Sequence, residues 1–146
     1  MSRELPNPAV LMFVAHRHVE QRVLAALAEA GYDDITTAQS RVFQRIGPDG
    51  TRLTTLAEQA QVTKQTAGFL VDQLEKAGYV ERGPDPSDAR ARLVRIAERG
   101  QRAIEASAGV VAEVDAEWRA HLGHASYEEM VTALEKLREL TDPEGR

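Results

Sequence analysis

Apolar positions along this chain fall into helical rows, broken once by a short stretch with strand character. From about Pro8 to Ala30 the row Val10, Val14, Val23, Leu24 and Leu27 predicts a first helix. Pro8 suits its first position and Gly31 stands just past its end. A second helix is expected from Thr37 to Arg45, capped by Thr36 or Thr37. Gly47-Pro48-Asp49-Gly50 then reads as a turn and Thr51 to Leu53 as a short strand. Leu53, Leu56, Ala57 and Ala60 give a third helix its apolar face, and Thr55 and Glu58 have the spacing of a capping box. After a turn at Gln61-Val62, Thr63 can cap a fourth helix. There Ala67, Leu70, Val71 and Leu74 fall at i, i+3, i+4 and i+7, a single buried stripe that Gly78 ends.

Tyr79 to Arg82 and Arg92 to Ile96 read as two paired strands around a loop from Gly83 to Asp88, whose Gly, Pro, Asp and Ser residues preset turns. Two long helices complete the chain. One spans about Glu98 to Leu122, with Ile104, Val111, Val114, Trp118 and Leu122 on one side, and Gly123 breaks it. The last is expected to be capped by Ser126 with Glu129, to carry Tyr127, Met130, Val131, Leu134, Leu137 and Leu140, and to stop at Asp142-Pro143.

The fold class is therefore mainly α with a small β wing, a winged helix-turn-helix of about six helices. Residues 1–146 form a single domain, with 37–97 as the winged helix-turn-helix lobe. The flanking helical segments, 8–36 and 98–142, carry more apolar surface than that lobe can cover. They are expected to fold together as a dimerisation region, with a second copy of the chain covering the rest.

Composition narrows the chemistry. There is no cysteine, which excludes disulfides and thiolate zinc sites. No run approaches the ~18 apolar residues of a membrane span, and the N-terminus lacks a signal-peptide pattern. The expectation is a cytoplasmic protein without cofactor. The chain carries a net −5, but residues 39–95 hold nine Arg/Lys against seven Asp/Glu, while the remainder holds nine against sixteen. The basic excess thus coincides with the segment proposed to meet phosphates.

A helix-turn-helix places its second helix in the major groove, N-terminal residues nearest the bases. On that helix the candidates are Thr63, Lys64, Gln65, Thr66, Gly68, Phe69 and Gln73. Gln65 can pair with adenine, Lys64 can reach guanine or phosphate, and the threonine hydroxyls can go to base or backbone. Gly68 allows close approach, and Phe69, off the buried stripe, can meet a thymine methyl or pack on a neighbouring element. On the wing the candidates are Asp88, Arg90 and Arg92. Asp88 and Arg90, two apart on an extended segment, share a side, so the carboxylate can aim the guanidinium into a minor groove. Read without context, the same pair is an exposed ion pair of ~0–1 kcal/mol.

In this register, LTTLAEQAQVTKQTAGFLVDQLEKAGYVERGPDPSDARARLVRIAERG resembles the multiple-antibiotic-resistance regulator (MarR) family of bacterial transcription factors. The likeness rests on L-T-x-L-A at 53–57, V-D-x-L-E-K-x-G-Y-V-E-R at 71–82 and D-P-x-D-x-R at 85–90. The resemblance implies a homodimer that binds a palindromic operator in double-stranded DNA and releases it when a small phenolic or aromatic ligand enters a crevice. It implies Arg90 in the minor groove and Thr63 to Thr66 at the start of the recognition helix. Ala89, Gly68, Phe69 and Ala97 depart from the family's usual residues. His16, Arg17, Arg41 and Arg45, together with His18 and Arg22, are the candidates for the crevice, where an arginine can hold a carboxylate. The plainer reading makes them solvent-facing or paired with acidic residues across the dimer. His121 and His124 have no companion carboxylate pattern and make a weak metal site. No motif of a nucleophile elbow, phosphate loop, H-E-x-x-H or dinucleotide site occurs, so the reading is a regulator and not an enzyme. The alternative is a winged-helix protein-interaction module with no specific operator.

Overall fold

A computed structural model describes residues 6–142. Residues 1–5 of the expected lead-in and the Pro143 stop lie outside the described residues. Among the described residues there are six α-helices and one three-stranded antiparallel sheet. They run α1 (Pro8–Glu29), α2 (Thr37–Phe43), β1 (Thr51–Arg52), α3 (Leu53–Ala60), α4 (Lys64–Lys76), β2 (Val80–Asp85), β3 (Asp88–Ile96), α5 (Glu98–Leu122) and α6 (His124–Thr141). Two compact units divide between Ala108 and Gly109, inside α5. No helix is long and apolar enough to cross a membrane, among the described residues.

Local chemistry sets most boundaries. Asn7 caps α1 by accepting from the Ala9 N–H, with Pro8 in the first turn. Thr36 and Gln39 form a reciprocal capping box that starts α2. α2 ends at Phe43, two residues before the expected Arg45, because Arg45 and Ile46 instead bond the carbonyls of Val42 and Phe43 in tighter turns. Thr63 caps α4 by accepting from the Thr66 N–H at 3.1 Å. At the far end of α4, Gly78 takes φ +84°. The Tyr79 N–H then reaches the Leu74 carbonyl at 2.9 Å, closing a Schellman motif that turns Tyr79 inward.

Two expected caps are corrected. α3 starts at Leu53, directly after β1, so Thr55 is already inside the helix and forms no capping box with Glu58. α6 starts at His124 with Gly123 before it, so Ser126 and Glu129 lie within the first turns and do not cap. In both cases the preceding element runs straight into the helix and leaves no room for the later start. The wing is also longer than expected. β2 and β3 pair from Val80↔Ile96 to Pro84↔Arg92 and again at Asp85↔Asp88, so residues 83–85 and 88, expected in a loop, join the ladder, while 89–91 belong to β3 without a partner on β2. The register shifts between Pro84 and Asp85, where β3 carries the three extra residues, and Pro84 is tolerated because β2 is an edge strand.

In the first unit the core draws on every helix and on β2 and β3. Leu56, Val71, Leu74 and Tyr79 are fully buried, joined by Val42, Val94 and Ala103. Leu74→Ala would open a cavity costing about 2–5 kcal/mol. α1 is covered unevenly: Leu27 is buried and Val23 and Leu24 partly so, whereas Val10 and Val14 are 56% and 44% exposed. In the second unit Tyr127 is the buried anchor. Its hydroxyl donates to Asp115 and the Arg119 guanidinium stacks 4.1 Å from its ring centre while reaching Glu128 at 2.7 Å.

Candidate nucleic-acid interface

The buried stripe of α4 (Ala67, Leu70, Val71, Leu74) fixes which side of the helix faces out. At ~100° per residue, Gln65 and Phe69 point directly away from it. Both are exposed, Phe69 at 62%. Lys64 and Thr66 are exposed too, and the Thr66 and Thr63 hydroxyls bond each other at 2.9 Å. Gly68 and Gln73 sit on the two flanks. Gly68 is half-buried, and a Cβ there would lie 3.6 Å from Leu53 of α3. The Gln73 carbonyl oxygen accepts from the amide of the buried Gln39 at 3.0 Å, which ties α4 to α2. Of the seven sequence candidates, five present their side chains to solvent without such a tie to a neighbouring helix.

The wing is stiffened by contacts around Asp85. Asp85 is buried at its tip, accepting from the Ser87 N–H (2.8 Å) and hydroxyl (2.7 Å) and from Arg52 of β1 (2.7 Å). The two Ser87 hydrogen bonds, and then Arg52, pull its pKa from 3.8 to about 2. The expected Asp88–Arg90 side-chain pair does not form. Asp88 instead accepts from the backbone N–H of Arg90 at 3.0 Å and lies 3.9 Å from Arg52. A carboxylate two residues back reaches the chain more readily than the tip of a long side chain, so the Arg90 guanidinium is left without a hydrogen bond among the described residues. Arg92 is exposed, and its guanidinium reaches the Arg82 carbonyl only at 3.5 Å.

Arg82, in β2, clamps wing to helix. Its guanidinium meets Asp72 at 2.7 Å and Glu75 at 2.9 Å, and its N–H donates to Glu75. Two acids on the outer side of α4 are thereby partly neutralised. Behind this face a knot joins Tyr79, Asp34 and Arg99. The buried Tyr79 hydroxyl donates to Asp34, and Arg99 holds the same carboxylate at 3.0 Å, the Ala77 carbonyl at 2.6 Å and the Tyr79 ring at 4.3 Å. Burial, reinforced by Asp34, pushes the Tyr79 hydroxyl pKa up, while the Tyr79 hydrogen bond holds Asp34 low. Neither Arg82 nor the knot was singled out from sequence, because their partners lie up to 65 residues away.

Of the crevice candidates, Arg41 is bound in a two-point bridge to buried Glu20 at 3.0 and 3.2 Å, and His16 approaches that carboxylate at 3.5 Å. The Arg41 hydrogen bonds hold Glu20 below its ordinary pKa. Arg17 lies 5.9 Å from the Phe13 ring centre, His18 is exposed, and Arg45 is half-buried. Arg41 thus pairs with an acid of its own chain, an arrangement that neither reading of the sequence named. His124 lies against Arg119 at 3.3 Å.

A MarR-family sequence model matches residues 33–91, which take in α2, the helix-turn-helix and the wing tip. The transcriptional regulator HosA of Escherichia coli O111:H- is 31% identical over 108 residues, spanning 73% of this chain and 78% of HosA. The chain belongs to the MarR family. Among solved structures, MarR superposes at a TM-score of 0.72 with 21% identity, covering 92% of this chain and 96% of that one. The S. aureus MepR–DNA complex gives 0.68 with 21% identity, over 91% and 97%. At such identities the likeness is one of fold, and it runs through the whole order of six helices and wing. The protein is thus a MarR-family transcriptional regulator with a winged helix-turn-helix.

Proposed function

We propose that this MarR-family protein binds a palindromic operator as a homodimer and acts as a repressor in the cytoplasm. In this reading 37–97 is the DNA-binding lobe and 8–36 with 98–142 the dimerisation region. The observation that carries it is the pairing of an exposed α4 face, headed by Thr63, Lys64, Gln65 and Thr66, with an uncommitted Arg90 guanidinium on a pinned wing. The α4 N-terminus adds unpaired N–H groups that favour phosphate. Dimerisation is supported by apolar side chains that each unit leaves in solvent. Val10 to Val14 on α1 are 43–56% exposed, and Leu134, Leu137 and Leu140 on α6 are 41%, 39% and 82% exposed. Such a dimer presents two α4 helices to half-sites about one turn, ~10 base pairs, apart.

Selection from a random DNA pool tests this reading, with sedimentation of the free protein. A palindromic motif, bound with strong salt dependence, and a dimeric mass are the expected results. An unenriched pool would refute it and favour the second reading, a protein-interaction module, for which the exposed Phe69 speaks. Release by an aromatic or phenolic acid rests on the family likeness. Because Glu20 already holds Arg41, a carboxylate ligand at that residue must displace an internal one. Titrating salicylate-like acids against the protein–DNA complex decides this.

A further inference from the structure

Phe69 is the only large hydrophobic side chain exposed between residues 37 and 97, among the described residues. Every other one lies on α1, α5 or α6, so Phe69 does not belong to the apolar runs that a second copy would cover. It stands four residues after Gln65 and three after Thr66, hence on one face with them, opposite the buried stripe. The acid on its other side, Asp72, is held by Arg82 at 2.7 Å, which lowers the repulsion a phosphate backbone would meet there.

We infer that Phe69 reads the 5-methyl group of a pyrimidine in the major groove, next to an adenine paired with Gln65. The inference rests on the DNA-binding reading above and adds the chemistry of one base. In the major groove thymine differs from the other bases by an apolar group at C5, and an aromatic ring is its natural contact. Cytosine methylated at C5 carries the same group in the same place, so Phe69 should respond to it as well. A polar residue at this position could pair with a base edge. Phe69 can gain only by covering apolar surface, and the methyl is the apolar surface that B-DNA offers there.

The test uses the full chain and the duplex enriched from the random pool, with binding followed by fluorescence anisotropy. Each thymine is replaced in turn by deoxyuridine, which removes the methyl and leaves the hydrogen-bonding edge unchanged. The wild type should lose about fourfold in affinity at one thymine per half-site, the worth of one buried methyl. Phe69→Ala should bind both duplexes alike. Placing a 5-methylcytosine·guanine pair at that position should bind the wild type about fourfold better than the unmethylated pair, and again should not matter to Phe69→Ala. Phe69 is exposed, so its loss leaves the core intact. If no deoxyuridine position matters, or if wild type and Phe69→Ala respond equally, the inference is wrong while DNA binding stands. If the pool enriches nothing, both readings fall, and loss of a protein partner in Phe69→Ala would then explain the residue.

Discussion

Two glycines of α5 offer a paired test of how the wing base is packed. A Cβ on Gly100 would lie 2.2 Å from the Tyr79 carbonyl oxygen, 3.0 Å from Ile96 and 3.1 Å from Phe43. The nearest of these is backbone, and that carbonyl already accepts from the Ala97 N–H at 3.0 Å where α5 leaves β3. Gly100→Ala must therefore push β2 and α5 apart. Overpacking costs about 1–3 kcal/mol and a weakened hydrogen bond about 1 more, offset by at most about 1 from the better helix former. A net loss of about 2 kcal/mol is expected. Gly109, farther along the same helix, has nothing within 4 Å of its Cβ position. Gly109→Ala should gain about 0.5–1 kcal/mol from helix propensity and a less flexible unfolded chain. Urea unfolding at one fixed protein concentration measures both, since the stability of the proposed dimer would depend on concentration. For a chain of this size the melting temperatures should move by roughly −4 to −8 °C and +1 to +4 °C. Equal shifts, or a Gly100→Ala as stable as the parent, would refute the close approach of α5 to the Tyr79 carbonyl.

Arg90→Ala should weaken operator and bulk DNA alike, and reduce the slope of log K against log salt by about 1, as a lost phosphate or minor-groove contact does. Gln65→Ala should relax base preference at one position of the site, by about 1–3 kcal/mol of discrimination; an unchanged preference profile removes its base-reading role. Asp85 is held at about 2, below its ordinary 3.8, so its contribution is complete above pH 4 and disappears as pH falls from about 4 to 2. Its carboxyl carbon should titrate near pH 2 by NMR. Arg52→Ala should raise that midpoint only in part, since the Ser87 hydrogen bonds are the larger cause. Arg82→Ala should cost little stability, about 0–1 kcal/mol for an exposed pair, yet lower DNA affinity by leaving Asp72 and Glu75 unpaired. Asp72→Asn in the same chain should recover part of that affinity.

Order and type of the helices were legible because all but α2 carry their own apolar row and most carry a local stop or start. Gly31, Gly78 and Thr63 do what their positions imply, and α5 has the expected bounds. The capping motif at Thr55 and Glu58 misled because spacing alone does not say where a helix begins; β1 hands the chain to α3 two residues earlier. The extent of the wing was hidden by Pro84, which reads as a loop residue yet pairs with Arg92 on an edge strand. At the candidate interface the exposed side of α4 follows from periodicity. The partners of its flanking groups do not: Gln39 for Gln73, Arg82 for Asp72, and Arg52 for Asp85 are long-range pairs set by tertiary packing.

The knot of Asp34, Tyr79 and Arg99 also bears on how the chain comes to be folded. Its members are separated by 45 and 65 residues, and two of the three lie outside 37–97. A ribosome delivers Asp34 first and Arg99 last, so the Tyr79 hydroxyl can find Asp34 at once, but that carboxylate and the Ala77 carbonyl lack their guanidinium until the first turn of α5 has emerged. A fragment covering only 37–97 carries the residues proposed to face DNA but neither group that ties down the Tyr79 hydroxyl and ring. Any minimal DNA-reading piece of this protein must therefore begin before Asp34 and end after Arg99.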